Sequence, residues 1–168
     1  LALSAPELLT ADHDVSLFSC GKPALDDWLK RRALSNQQKG FTAVVVVHND
    51  GHVVGYYGLA PTAVIPGALP RSIRTGQPPD PVPCLLLGQL AIHLDWAGKG
   101  LGTGLVKHAL QRCVAAAGLV GGRALMINAL DEDAAVFWRR RGFFPSKDDP
   151  FILYRSIGDI AASLAQAR

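Results

Sequence analysis

The chain is short of the features that staple a small fold or carry it across a membrane. It has three cysteines, Cys20, Cys84 and Cys113, an odd number with neither CxxC spacing nor a zinc-finger pattern. That excludes a disulfide framework and points to free thiols in a reducing compartment. No apolar run reaches the ~20 residues that span a bilayer, and no positively charged, apolar leader opens the chain. The expectation is a cytoplasmic protein without a membrane segment or a metal. Charge is sparse as well: Asp, Glu, Lys and Arg make up 18% of residues, and the net charge is +3. Set against a hydrophobic fraction of 49%, this excludes a disordered or fibrous chain. A single domain over 1–168 is expected, long enough to bury a core of its own.

Punctuation is plentiful, with 17 glycines and 11 prolines. Pro23 to about Gln38 reads as a helix: Pro23 suits the first position, Asp26 and Asp27 the first turn, and Leu25, Trp28, Leu29 and Ala33 share a face before Gly40 ends it. The opposite face carries Lys30, Arg31 and Lys39. Thr42 to His48 and His52 to Leu59 flank the turn signal Asn49-Asp50-Gly51 and predict a β-hairpin. His48 and His52 lie across that turn, not on one helix face, so no metal site is read from them. Residues 1–18 show no clear period, with Val15 to Phe18 a short strand or turn.

Residues 60–84 hold seven of the prolines together with Arg71, Arg74 and Gly76, and are expected to form a long loop, either a binding loop or a tolerated insertion. Leu105, Val106, Ala109, Leu110, Cys113, Val114 and Ala117 repeat with helical spacing, and Gly118 is the expected stop. Ala124 to Ala129 predicts a strand, Asp131 to Arg141 a helix, and Phe151 to Arg155 a last strand. Ser156 and Asp159 form a capping box before a short Ala-rich helix. The order implies an α/β (α+β layered) fold with helices packed on a mixed sheet.

The functional signal lies in Leu85 to Gly104, where an apolar strand leads into Gly98, Gly100 and Gly102 and then into a helix. Alternate glycines allow a tight turn that brings backbone N–H groups to a ligand, and the helix N-terminus adds partial positive charge, so a phosphate is expected there. A dinucleotide fold would need GxGxxG, but Thr103 breaks that spacing and no acid follows about twenty residues on. A nucleotide-hydrolase loop would need Ser or Thr after Gly98-Lys99, and Gly100 stands there.

What fits is Ala97-Gly98-Lys99-Gly100-Leu101-Gly102, which resembles the pyrophosphate-binding segment of the GNAT acetyltransferases. The strand before it, the helix after it and the later Phe137-Trp138 to Arg141-Gly142-Phe143 segment follow in the order this family uses. More narrowly, Leu25-Asp26-Asp27-Trp28-Leu29, Gly55-Tyr56-Tyr57-Gly58-Leu59, Pro79-Asp80-Pro81-Val82-Pro83 and Leu90-Ala91-Ile92 resemble the GNAT-type toxins of bacterial toxin–antitoxin pairs. The resemblance implies a GNAT-like mixed, mostly antiparallel sheet with helices on both faces. It implies transfer of acetyl from acetyl-CoA to the amino group of aminoacyl-tRNA, blocking translation, with neutralisation by a ribbon-helix-helix antitoxin and a homodimeric state. On it, Leu90, Ala91, Ile92, Ala97, Gly98, Lys99, Gly100, Leu101, Gly102, Asn128 and Phe137 are the candidate acetyl-CoA contacts. Lys30, Arg31, Arg71, Arg74 and Gln89 are the candidate substrate contacts.

There are two departures from the family pattern. Ala97 replaces a common Arg or Gln but leaves the backbone donors. Trp138 stands where the family carries a tyrosine that protonates the leaving CoA sulfur, and an indole N–H donates a hydrogen bond without giving up its proton. Trp138 orients or donates to the sulfur, or Tyr154 is the acid; equally, Phe137 and Trp138 are plain core aromatics, and Asn128 caps the next helix. The basic groups Lys30-Arg31-Arg32 and Arg139-Arg140-Arg141 fit a polyanion or a solvated helix face alike. A small amine or a protein as acceptor, or a non-catalytic CoA-binding or protein-interaction module, is the competing function.

Overall fold

The computed structural model describes residues 2–167. Its strands are β1 Glu7–Leu8, β2 Ala43–Asn49, β3 His52–Val64, β4 Val82–Ile92, β5 Ala124–Asn128, β6 Phe144–Pro145 and β7 Ile152–Ser156. The helices are α1 Pro23–Trp28, α2 Leu34–Gln38, α3 Leu101–Val120, α4 Glu132–Arg139 and α5 Ile157–Gln166. The strands form one sheet in the order β1-β2-β3-β4-β5-β7-β6. β4 and β5 run parallel, while β1–β2, β2–β3, β5–β7 and β6–β7 are antiparallel, so the sheet is mixed and mostly antiparallel. The chain divides into two compact units, Leu1–Ala60 with Gly88–Ala109, and Pro61–Leu87 with Leu110–Arg168.

In the first unit, Leu9, Phe18, Leu29, Ala33, Val44, Val46, Val53, Tyr56 and Ala91 make a buried cluster. Trp28 stacks on Tyr56 at 5.8 Å with the rings 7° apart, and the Tyr56 hydroxyl donates to Leu25 O at 2.7 Å. The helix expected over 23–38 is there but is not uniform: Leu29–Ala33 form a π-helical turn between α1 and α2. One wider turn leaves Leu29 and Ala33 buried and Lys30, Arg31 and Arg32 exposed. The hairpin forms as expected, turning through Asp50 at φ 51° and Gly51 at φ 84°. Val15 to Phe18 is a turn, closed by Phe18 N–H to Val15 O at 3.1 Å.

In the second unit the cluster is Val64, Leu69, Ile73, Val82, Cys84, Ala124 and Tyr154. Three expectations are corrected here. The proline-rich loop is not 60–84: β3 continues to Val64 and β4 begins at Val82, because Pro61 and Pro83 occupy exposed strand positions while Val64, Val82 and Cys84 point inward. Gly118 does not stop α3, which runs on to Val120 and ends where Gly121, at φ 89°, donates to Ala117 O at 2.8 Å. The helix expected over 131–141 is Glu132–Arg139, with Asp131 as its N-cap accepting from Ala134 N at 2.9 Å. Asn128 is therefore not that cap; it is exposed in β5, opposite Ile152. The Ser156 cap forms, accepting from Asp159 N at 3.0 Å.

The N-terminal strand is held by a trio of side chains whose association the sequence did not reveal. Among the described residues, Glu7, His13 and His48 are the one group of acids, histidines and cysteines close enough to hold a metal. Thr10 N donates to His13 Nδ1 at 2.9 Å and Gly51 N to His48 Nδ1 at 3.0 Å. Both Nδ1 atoms are acceptors, so both protons sit on Nε2, and the two Nε2–H groups donate to Glu7 Oε1 at 2.7 and 2.9 Å. A metal on Nε2 would move each proton to Nδ1, against a backbone donor, so the trio is built as a hydrogen-bonded clasp.

The bonds from His13 and His48 hold the Glu7 pKa below its ordinary value of 4.5. A depressed carboxylate stabilises fully above that unfolded value and loses the contribution as pH falls through the lower folded one. Exchange of the Leu9 amide, bonded to Val44 O at 2.9 Å, is expected to speed up, after correction for intrinsic rates, as pH drops below 4.5. Glu7→Gln is expected to remove that dependence; an unchanged profile in the variant would rule out the clasp.

Candidate active site

At the end of β4 the strand passes directly into a turn and a long helix. His93 N donates to Val54 O at 2.8 Å and Leu94 N to Ser19 O at 2.9 Å, which fixes the exit of the strand. The His93 ring pins the next residues: Nδ1 accepts from Asp95 N at 3.0 Å, leaving Nε2–H to donate to Leu17 O at 3.1 Å. A 3₁₀ turn, Leu94–Trp96, follows. Gly98 and Gly100 then take φ of 74° and 84°, the left-handed region that costs a residue with a Cβ about 1–2 kcal/mol.

Gly104 N donates to Gly100 O at 3.1 Å, the first bond of the helix. The N–H groups of Leu101, Gly102 and Thr103 therefore have no carbonyl in their own helix. They open the 20-residue α3, whose dipole favours an anion at this end. No other group lies within 4 Å of where a Cβ on Gly98 or Gly100 would stand, so the turn itself is uncrowded. Lys99 adds a cation, its Nζ 5.3 Å from the centre of the Trp96 ring. Unmet N–H donors and the helix dipole are the features a pyrophosphate requires. Leu90 and Ile92 are half-buried on β4, and Ala91 is buried against the Tyr56 cluster.

In the second unit, α4 brings Phe137 and Trp138 to adjacent positions, ring centres 5.0 Å apart and nearly perpendicular. Trp138 is 6% exposed and meets Phe143 edge-on at 5.3 Å, so the core-aromatic role holds for its ring. Phe137 is half-buried and held from above: the Arg141 guanidinium lies 3.4 Å from its ring centre, and Arg141 Nη1 donates to Phe137 O at 2.9 Å. Burial, then the neighbouring Arg140, lowers the Arg141 pKa. Arg155 Nη1 donates to Arg141 O at 3.1 Å and Arg155 Nε to Asp159 at 2.7 Å. Arg141 meets Phe137, and Arg155 meets Asp159, at a separation of four residues; only the Arg155–Arg141 bond, 14 residues apart, joins segments distant in sequence.

Tyr154 is placed differently from its expected acid role. It is 2% exposed within the cluster of Val64, Leu69, Ile73 and Cys84, and burial, then Cys84, raises its pKa. A phenol enclosed among apolar side chains is poorly placed to give a proton to a substrate. The other tyrosines are also committed: Tyr56 donates to Leu25 O, and Tyr57 bonds His108 Nδ1 at 2.8 Å.

Of the substrate candidates, Lys30 and Arg31 are exposed on the π-helical turn. Arg71 is exposed and Arg74 half-buried in the segment between β3 and β4. Gln89 lies against Gly58, where an added Cβ would stand 2.7 Å from Gln89 Oε1 and 3.0 Å from Thr42 Cγ2. Glycine at position 58 thus makes room for the Gln89 amide, which the quoted Gly55-Tyr56-Tyr57-Gly58 run did not reveal.

Residues 6–143 match the family model described as the acetyltransferase (GNAT) family. The chain is 40% identical, over 159 residues and 95% of each chain, to a protein of Mycobacterium tuberculosis named tRNA-acetylating toxin. Among solved structures it is similar to AtaT complexed with acetyl-methionyl-tRNAfMet, with a TM-score of 0.87 and 29% identity over 96% of this chain and 99% of that one. It is also similar to a Tyr-to-Phe mutant of the AtaT toxin bound to acetyl-CoA and to the C-terminus of the antitoxin AtaR. That match has a TM-score of 0.82 and 28% identity over 98% of this chain and 99% of the other.

Gly100→Ala tests the turn. Left-handed strain of about 1–2 kcal/mol is expected either to destabilise the bent backbone or to swing its N–H groups away. Calorimetric titration with acetyl-CoA is expected to show affinity about tenfold lower. Wild-type affinity in the variant would mean that this turn does not hold the ligand.

Proposed function

This chain belongs to the acetyltransferase (GNAT) family, and from that premise we propose that it transfers acetyl from acetyl-CoA to the amino group of an aminoacyl-tRNA, a reaction that blocks translation. The observation that carries the reading is the Gly98–Gly102 turn, which leads into backbone donors that no carbonyl of α3 meets. The relative at 40% identity supports the acceptor. Neutralisation by a small ribbon-helix-helix antitoxin and a homodimeric state complete the proposal.

In this reading the N–H groups of Gly98 to Gly102 hold the pyrophosphate, Asn128 and Phe137 contact the pantetheine end, and a backbone N–H of Leu90 to Ile92 polarises the thioester carbonyl. Bound acetyl-CoA supplies the activated acyl group. Lys30, Arg31, Arg71, Arg74 and Gln89 face the acceptor. An α-amine has a pKa of about 7.7–8.0, and the adjacent ester lowers it, so no dedicated base is required. Trp138 donates a hydrogen bond to the sulfur without transferring a proton. A thiol pKa near 8.5 makes thiolate departure feasible, at the cost of the roughly 10²–10⁴-fold that a general acid contributes.

Labelled acetyl-CoA incubated with charged or uncharged tRNA tests the reaction. Label on charged tRNA alone is the expected result. Transfer to a small amine or a protein instead would redirect the acceptor, and no transfer despite measurable CoA binding would favour a non-catalytic module.

Trp138→Phe keeps an aromatic ring against Phe143 and removes the N–H, and kcat is expected to fall several-fold with little change in KM for acetyl-CoA. Trp138→Tyr is expected to raise kcat and to add an alkaline decline to its pH profile that the wild type lacks. Equal kcat in wild type and both variants would take position 138 out of the mechanism.

A further inference from the structure

The segment between β3 and β4 has little regular structure of its own, yet it is held at several points. Leu69 and Ile73 are buried, and Ala68 O accepts from Ser146 Oγ at 3.1 Å. The firmest hold comes from Arg123, just before β5. Its backbone N donates to Pro83 O at 2.8 Å, on one side of a groove of about 500 Å³. Its side chain reaches the other side: Nε donates to Ile73 O at 2.9 Å, and Nη2 to Thr75 Oγ1 at 3.2 Å and Thr75 O at 3.4 Å.

These bonds leave a guanidinium fixed in plane with donors to spare. Nη1 makes no hydrogen bond among the described residues, and Arg123 has no acidic partner among them. The groove walls are Thr75, Gln77, Pro78, Pro79 and Pro83, and no acid lines it. Gly76 at φ 85° and Gln77 at φ 52° turn the chain there, the second an uncommon conformation for a residue with a side chain. A planar cation already oriented by carbonyls, with the Gln77 amide lining the same groove and no acid among its walls, matches the oxygens of a phosphate.

We propose that the Arg123 groove binds a phosphodiester of the tRNA substrate, an inference that rests on the tRNA reading above. A nucleic-acid phosphate is favoured over a phosphate of CoA because Arg71 and Arg74 precede the groove on the same segment, giving a run of cations suited to successive backbone phosphates. Nothing in the composition or local pattern around Arg123 marked it for this role. Its partners are 50 and 48 residues away in sequence.

Filter binding of uncharged tRNA over a salt series, with calorimetric titration of acetyl-CoA, tests the site without requiring turnover. One lost phosphate contact is expected to flatten the slope of log affinity against log salt by about 0.7–0.9 in Arg123→Gln. Over a fourfold rise in salt the wild type then loses about threefold more affinity than the variant. Acetyl-CoA affinity is expected to stay at the wild-type value. Thr75→Val, which loosens the hold on Arg123 and keeps the charge, is expected to leave the slope unchanged. Weaker tRNA binding in Arg123→Gln with an unaltered slope would reduce Arg123 to a brace for the segment and overturn the proposal. A fall in acetyl-CoA affinity in place of tRNA affinity would make the groove a CoA site and overturn it as well. Wild-type protein that binds no tRNA at any salt would refute the substrate reading, and the proposal with it.

Discussion

A helix that begins in the open has N–H groups with no carbonyl to meet them, and the function proposed for this chain depends on where that happens. Gly98 and Gly100 take backbone angles that side chains resist, and the turn they make delivers Leu101, Gly102 and Thr103 as unmet donors at the start of a 20-residue helix. The turn is fixed from behind by backbone bonds to Val54 and Ser19 and by the His93 ring. Without those supports the same glycines would be a flexible linker, and ordering them would cost the ligand part of its binding energy.

The second unit uses a different means to hold the side chains proposed to act. Its fixed points are arginines that spend their donors on carbonyls: Arg141 on Phe137, Arg155 on Arg141, and Arg123 on Ile73 and Thr75. A guanidinium so bound keeps its charge while losing its freedom, which suits both the bracing of an aromatic ring and the presentation of a cation to an anion. Trp138 lies in the same unit, its ring buried and edge-on to Phe143.

Much of the architecture was legible along the chain because it depends on neighbours in sequence. The 3.6-residue spacing through Leu105 to Ala117, the Asp50-Gly51 turn and the Ser156 cap all form as read. The errors fall where local signals compete with packing. Pro61 and Pro83 suggested a loop, but both are accommodated toward the ends of β3 and β4 with their rings exposed. Gly118 suggested a stop, but a single glycine costs a helix only about 1 kcal/mol, and α3 runs on past it. The two-residue strands β1 and β6 are too short to show a period and exist through their partners, Val45 and Val46 for one, Leu153 and Tyr154 for the other.

By itself the sequence determined the identity of the family, the glycine turn, most helix and strand positions, and the presence of Trp138 where an acid was expected. These are matters of residue type and spacing, which no amount of packing can alter. Only the tertiary structure decided that Tyr154 lies in the core, that the Glu7 trio is a clasp with its protons on Nε2, and that Arg123 faces a groove without a counter-charge. Each of those depends on groups far apart in the chain meeting at hydrogen-bonding or van der Waals distance, and a residue's own neighbours in sequence carry no record of that meeting.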